Sequence, residues 1–302
     1  MLIIKYRKVF FALTGILLLL SLASVAFFGL TLGTDFTGGV LAEVRYGADR
    51  PGVEELSQSL ENAGFTGHIV RESENNAYII RAGNVSSEVR SKLQDTTSLG
   101  NRFPATIERF TEIGPTVGIE LRNKSLIALS LVLVCILLYI AFAFRKVSQP
   151  VSSWIYGMIA LVTLLHDVIV PSGFFALLGY LFGAQVDTLF VTAILTIVGF
   201  SIHDTIVVFD RTRENLRINQ ETRRKEDFEI TAGRSLNQTF VRSVNTSVTV
   251  LISLGALFFF GPESTQDFAL TLIVGIIAGT YSSIALATPL LVAYERWKVK
   301  RI

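Results

Sequence analysis

Six stretches of this chain, about 9–29, 125–144, 154–182, 188–209, 241–260 and 268–292, are almost wholly apolar. At 1.5 Å per residue, about 20 residues of apolar helix cross roughly 30 Å of hydrocarbon. Only helices and closed barrels satisfy their backbone groups in lipid, and runs of this length read as helices. Half of the residues are hydrophobic and the mean hydropathy is +0.51, which excludes a water-soluble globular chain. The third run is longer than a perpendicular crossing needs, so a tilt or bend is expected, with Pro171 and Gly173 as the place for it.

The net charge of +2 says little, but its placement sets an orientation. Lys5, Arg7 and Lys8 precede the first run, and Arg145 and Lys146 follow the second. Between runs four and five lie Arg211, Arg213, Arg217, Arg223, Arg224, Lys225 and Arg234, and the tail adds Arg296, Lys298, Lys300 and Arg301. The short opposite loops near 183–187 and 261–267 contain no Lys or Arg. Positive charge stays inside, so both termini are expected in the cytoplasm and residues 33–123 outside. Ser24-Val-Ala26 has the form of a signal-peptidase site, and cleavage is one reading of the first run. The apolar run continues through Phe27, Phe28, Leu30 and Leu32, which favours a permanent helix. The single cysteine, Cys135, excludes an intrachain disulfide and suggests no thiolate metal site.

Residues 33–123 change to mixed polar and charged composition with short alternating runs. Val40–Tyr46, His68–Glu72, Ala77–Arg81 and Ala105–Glu112 read as strands. Val53–Ala63 and Ser86–Asp95 read as helices, the second opened by a Ser87 cap. The order β-α-β-β-α-β predicts an inserted ferredoxin-like α+β domain, a fold that by itself reveals no activity. Gly33, Asp35, Gly38 and Gly39 precede this domain, and Gly114, Pro115 and Gly118 follow it. These residues either punctuate the passage from apolar to soluble chain or belong to a coupling motif.

Asp204 lies deep in the fourth apolar run, in Gly199-Phe-Ser-Ile-His-Asp-Thr-Ile-Val-Val-Phe-Asp-Arg211. A carboxylate at the centre of a membrane helix costs roughly 2.5–3.5 kcal/mol on insertion scales, so it implies a partner, a water-filled cavity or a proton to carry. On the fifth run Gln238 is followed by a stripe at helical spacing: Arg242, Asn245, Thr246, Thr249 and Ser253. Arg242 could anchor at the inner interface, with the hydroxyls packing helices. A stripe of this kind is also what a buried hydrogen-bonding face requires, and antiparallel spans would bring Arg242 to the depth of Asp204. His166-Asp167 on the third run is either a buried, satisfied pair or a second polar station. Gly275-Ile-Ile-Ala-Gly279 on the sixth predicts close helix packing, with Ser282 and Ser283 following. The segment 210–240 reads mostly as solvated helix, and its mixed charge argues against nucleic-acid binding. Phosphate cradles, HExxH and a Ser-His-Asp pattern are absent from the sequence, so an ion gradient is the expected energy source and no cofactor or metal is expected.

Gly33-Thr-Asp-Phe-Thr-Gly-Gly39, Gly114-Pro-Thr-Val-Gly118, His166-Asp167, Ser201–Arg211 and Arg234-Ser-Leu-Asn-Gln-Thr239 running into Arg242 together resemble the SecF family of the RND superfamily, over nearly the whole chain. The resemblance implies a six-helix bundle that pairs with SecD, works with the SecYEG channel and uses protons to help move preproteins. It also implies that Asp204 and Arg242 form the proton relay, without enzymatic chemistry. Where the family often carries Asn before the aspartate, this chain has His203, which either joins the relay, since imidazole titrates near neutrality, or packs without titrating. A bacterial plasma or inner membrane fits, as does a thylakoid. Two other readings remain: an RND-type exporter of small molecules or lipids, and a passive docking subunit.

Overall fold

The computed structural model describes residues 2–47, 49–65, 67–73, 75–83, 89–145 and 151–300. In chain order the elements are α1 (Leu2–Lys5), α2 (Arg7–Phe28), α3 (Thr34–Thr37), β1 (Gly39–Tyr46), α4 (Val53–Asn62), β2 (Ile69–Ser73) and β3 (Ala77–Ala82). There follow α5 (Val89–Thr97), β4 (Ala105–Ile113), α6 (Pro115–Ala143), α7 (Ser153–Phe182), α8 (Thr188–Glu221) and α9 (Phe228–Phe260). A 3-10 turn (Glu263–Thr265), α10 (Gln266–Ser282), a π turn (Ser283–Ala287) and α11 (Thr288–Val299) complete the chain. Among the described residues, six helical stretches are long and apolar enough to cross a membrane. The chain divides into two units: Thr31–Ile127 with Gln185–Thr188, and Met1–Leu30 with Ala128–Ala184 and Leu189–Ile302.

In the first of these units, alternation along β1 buries Val40, Ala42, Val44 and Tyr46 on one face. Tyr78 and Ile80 of the neighbouring β3 extend that face, and Leu56 and Leu60, one turn apart on α4, pack on it with Leu93 of α5 and Phe65. The sheet order is β2-β3-β1-β4, with all pairings antiparallel and a register shift between Glu43 and Val44 in the β1–β4 ladder. This is the ferredoxin-like arrangement that the β-α-β-β-α-β order predicts. The expected Ser87 cap lies outside the described residues, and α5 is described from Val89.

Gly114-Pro-Thr-Val-Gly118 does not simply precede the second membrane helix. Pro115 opens α6, where its missing N–H and fixed φ cost nothing. Gly118 therefore sits on the first turns of that helix, and a Cβ there would stand 2.9 Å from the Gly38 amide nitrogen. Gly38 has φ +79°, and a Cβ on it would stand 2.7 Å from Pro115 Cα. The two glycine motifs are contact surfaces for each other, and this close approach explains the residue type at both positions.

The helical unit is built on α7, α8, α10 and α11. Phe144, Tyr156 and Phe209 form an aromatic cluster, with Phe144 stacked on Tyr156 at 5.3 Å and Phe209 edge-on at 5.1 Å from Tyr156. Cβ atoms added at Gly275 and Gly279 would run into Ile197 and Ser201 of α8, so the small-residue pattern is a close helix contact. α7 continues as one helix through Pro171, and Gly173 serves contact rather than a break in the helix: it lies against Ser21 of α2, and Ser24 Oγ donates to its carbonyl at 2.7 Å.

The basic segment 210–240 is less solvated than its composition suggests. α8 runs on to Glu221 and α9 begins at Phe228, and the two extensions bury Thr212, Asn215, Leu216, Asn219, Thr231, Ala232, Ser235 and Leu236. Asn215 Nδ2 donates to Ser235 Oγ at 2.8 Å, and Asn219 Nδ2 to Thr231 Oγ1 at 3.0 Å. Polar side chains hid this interface, because each satisfies another across it.

Candidate functional site

Buried positions on α8 recur at helical spacing through Phe190, Ile194, Ile197, Ser201, Thr205, Val208, Thr212 and Asn215. The face starts apolar and turns polar at Ser201. Asp204 shares it and is 2% exposed. Its Oδ1 lies 3.7 Å from His203 Nδ1, whose side chain is 57% exposed. Asp204 Oδ2 is buried and accepts no hydrogen bond. From α9, the Arg242 charge and the Ser243 hydroxyl act on this carboxyl. Neither closes a well-formed bond on Oδ2, and Ser243 Oγ is itself buried without a partner. A buried carboxyl oxygen facing a buried, unengaged hydroxyl is an expensive pair to keep.

His166 and Asp167 behave differently. Both are buried, and Asp167 is held from three elements. His166 Nδ1 stands 2.8 Å from Asp167 Oδ1, while Oδ2 accepts from Ser282 Oγ at 2.8 Å and from Ser201 Oγ. Ser283 and Thr205 hydroxyls share a hydrogen bond of 2.9 Å, which ties the π turn to the α8 turn that carries Asp204. His166 Nε2, buried in this cluster, makes no hydrogen bond. Asp167 thus anchors α7, α8 and α10 to one another. The π turn follows at Ser283, just ahead of Pro289, whose missing N–H interrupts the helical ladder.

The stripe expected to be buried on α9 is not buried in this chain. Arg242, Asn245, Thr249 and Ser253 are exposed and Thr246 is half-buried. The face that α9 buries is Thr231, Ser235, Leu236, Thr239, Ser243 and Ser247. Periodicity identifies residues that share a face but not which neighbour covers it. Thr246, Thr249 and Ser253 hydroxyls donate to the carbonyls four residues back, at 2.9, 2.8 and 3.2 Å. Arg242 and Asn245 leave strong hydrogen-bonding groups exposed alongside Val241, Val248 and Ile252. Gln238 is also exposed, and its Oε1 accepts from Arg211 at 2.6 Å.

In the sheet-bearing unit, Gly33 N–H donates to Val186 O at 2.8 Å, and Val186 N–H donates to Thr31 O at 2.8 Å. Asp35 Oδ2 accepts from the Thr188 backbone N–H at 3.0 Å and from its hydroxyl at 2.6 Å. Gly39 has φ +137°, and a Cβ on it would strike the Ala82 carbonyl of β3. Ser201, Ser243, Ser282, Ser283 and Thr205 were not singled out as site residues by composition, because hydroxyls are common in membrane helices. The available signal was position: Ser201 and Thr205 flank Asp204 one turn apart. Among the described residues, no group of three or more His, Cys, Asp or Glu side chains is placed to hold a metal ion.

A family described as the C-terminal region of the protein export membrane protein SecD/SecF matches residues 78–297, and a second, the SecD/SecF GG motif, matches residues 23–49. The protein translocase subunit SecF of Thermobaculum terrenum is 43% identical, over 99% of this chain and 96% of that protein. That of Anaerolinea thermophila is 38% identical, over 97% of this chain and 94% of that protein. The crystal structure of SecDF from Thermus thermophilus, a translocon-associated membrane protein, superposes with a TM-score of 0.82 at 33% identity. The match covers 97% of this chain but only 38% of the SecDF chain, in which one polypeptide carries both names. A second SecDF structure, in a super-membrane-facing form, matches with a TM-score of 0.69.

Proposed function

This chain belongs to the SecF family of protein translocase subunits, and from that premise we propose that it works with SecD to draw on the proton gradient and promote export of preproteins through the SecYEG channel. Asp204 would take up and release the proton, and Arg242 would set how readily it does so. The observation that carries this reading is Asp204 Oδ2, buried in the helical unit with no hydrogen bond to break on protonation. Asp167, three times bonded, lacks that freedom and is assigned to holding the helices together. His203 stands beside Asp204 with its side chain 57% exposed on a membrane-spanning helix.

The exposed polar face of α9 supports a heteromeric partner. A guanidinium and an amide facing lipid are costly, so a second helical subunit should cover them. SecD is that partner in this reading. The basic residues near both termini and between α8 and α9 favour an inner-membrane orientation with these segments in the cytoplasm and the sheet outside. The chain acts as a transport subunit, with protons as the coupling ion and no cofactor.

The test is gradient-dependent preprotein export in vesicles, with Asp204→Asn compared to wild type at equal levels of assembled complex. The gradient-dependent part should fall to the level seen without a gradient while SecD remains bound. Loss of SecD instead would place Asp204 in docking, and unchanged export would remove it as a carrier.

A further inference from the structure

After the Gly183 cap and Ala184, three residues connect α7 to α8, and these three together with Thr188, the first residue of α8, belong to the unit that carries the sheet. Arg81 of β3 donates to Gln185 Oε1 at 3.3 Å and pairs with Asp187 at 3.7 Å. Val186 forms a parallel bridge with Leu32. Asp35 takes both donors of Thr188, the first residue of α8. Arg81 and Asp187 are shielded, with side chains 19% and 21% exposed. The α9–α10 connection, by contrast, closes on itself: Gly261 N–H donates to Leu257 O at 2.9 Å, and Thr265 N–H to Pro262 O at 2.9 Å.

A helix start normally finds its cap within a few residues of its own sequence. Here the acceptor is supplied from 153 residues away, by the glycine-rich motif that leads into β1. Asp204 lies about 24 Å farther along the same helix, at 1.5 Å per residue. A helix is a stiff element, so a rearrangement that follows a change of charge at Asp204 and displaces α8 must either move the 185–188 segment or break these bonds.

We infer that Asp35 and Arg81 are positioning residues that clasp the start of α8 to β3 and the glycine motif, and so convey the state of Asp204 to the sheet-bearing unit. This rests on the proton-coupled reading above. Asp35 holds the helix end and Arg81 holds the two side chains before it, so together they make the 185–188 segment part of the sheet's own framework. The clasp takes no part in binding the proton.

The test compares Asp35→Ala/Arg81→Ala with wild type in membrane vesicles, at matched amounts of assembled complex, and reads two quantities. Gradient-dependent export should fall at least about five-fold, the lower end of typical coupling between sites. The pH-dependent infrared carboxyl band assigned to Asp204 should titrate as in wild type. Asp35→Asn with Arg81→Lys, which keeps an acceptor for Thr188 and a charge for Asp187, should restore most of the export. Thr188→Val, which deletes only the hydroxyl bond, should lower export about two-fold or more, and it keeps the test alive if the double variant fails to assemble. Export within two-fold of wild type in the double variant, or loss of the carboxyl band together with export, would overturn the clasp. Asp204→Asn run in parallel separates the cases: if it retains gradient-dependent export, the proton reading itself has failed.

Discussion

Two buried aspartates in one helical unit differ in how their oxygens are bonded. Asp167 receives His166, Ser201 and Ser282, whereas Asp204 keeps one oxygen unengaged. Asp167→Ala strips an acceptor from three buried donors and should destabilise by roughly 3–5 kcal/mol, as breaking a buried pair does. Asp167→Asn keeps one acceptor oxygen and should lie between the two. Thermal unfolding of the purified complex should therefore rank wild type, then Asn, then Ala, and equal midpoints for all three would refute the anchor. Asp204 was legible in the sequence because a charge in an apolar run cannot hide. The satisfaction of Asp167 was not, since its donors come from residues 34 and 115 positions away.

At the scale of elements, the hairpin formed by the ends of α8 and α9 is stitched by polar groups. Glu226, in the turn between them, accepts from Asn219 at 2.9 Å and from Thr231 at 2.8 Å. Those two hydrogen bonds, first Asn219 and then Thr231, hold its carboxyl below the ordinary carboxylate value, with Arg234 adding to the effect. A depressed folded value means the stabilisation is fully present above the unfolded value, about 4.3, and is lost as pH falls through the lower folded one. Amide protection across 219–231, corrected for intrinsic exchange, should be flat from pH 7 to about 5 and decline below about 4. Glu226→Gln should abolish that decline, and a decline that persists in this variant would assign it to other groups. The helices themselves were readable from apolar length, and the four strands from alternation and turn residues. The burial of the helical extensions 210–221 and 228–240 is hidden from the sequence, because Asn215–Ser235 and Asn219–Thr231 pairs look solvated until the partner helix is known.

For the molecule as a whole, the outward polar stripe on α9 is the surface that the proposed partner would cover. Over 97% of its own length this chain matches 38% of a SecDF chain. Asn245→Leu with Thr249→Leu should weaken association with SecD by roughly 1–2 kcal/mol, the scale of polar contacts between membrane helices. Co-purification from membranes reads this, and undiminished recovery of SecD would place the contact on another face. Spacing on α9 revealed that Arg242, Asn245, Thr246, Thr249 and Ser253 share a side, but a lone sequence holds no record of the neighbour that covers it. The central claim is that Asp204 exchanges a proton within the assembled complex, and infrared difference spectroscopy across a pH titration tests it most directly. The account predicts a protonated-carboxyl band that grows as pH falls, shifts in heavy water and is missing from Asp204→Asn. A spectrum that Asp204→Asn leaves unchanged at every pH would contradict it.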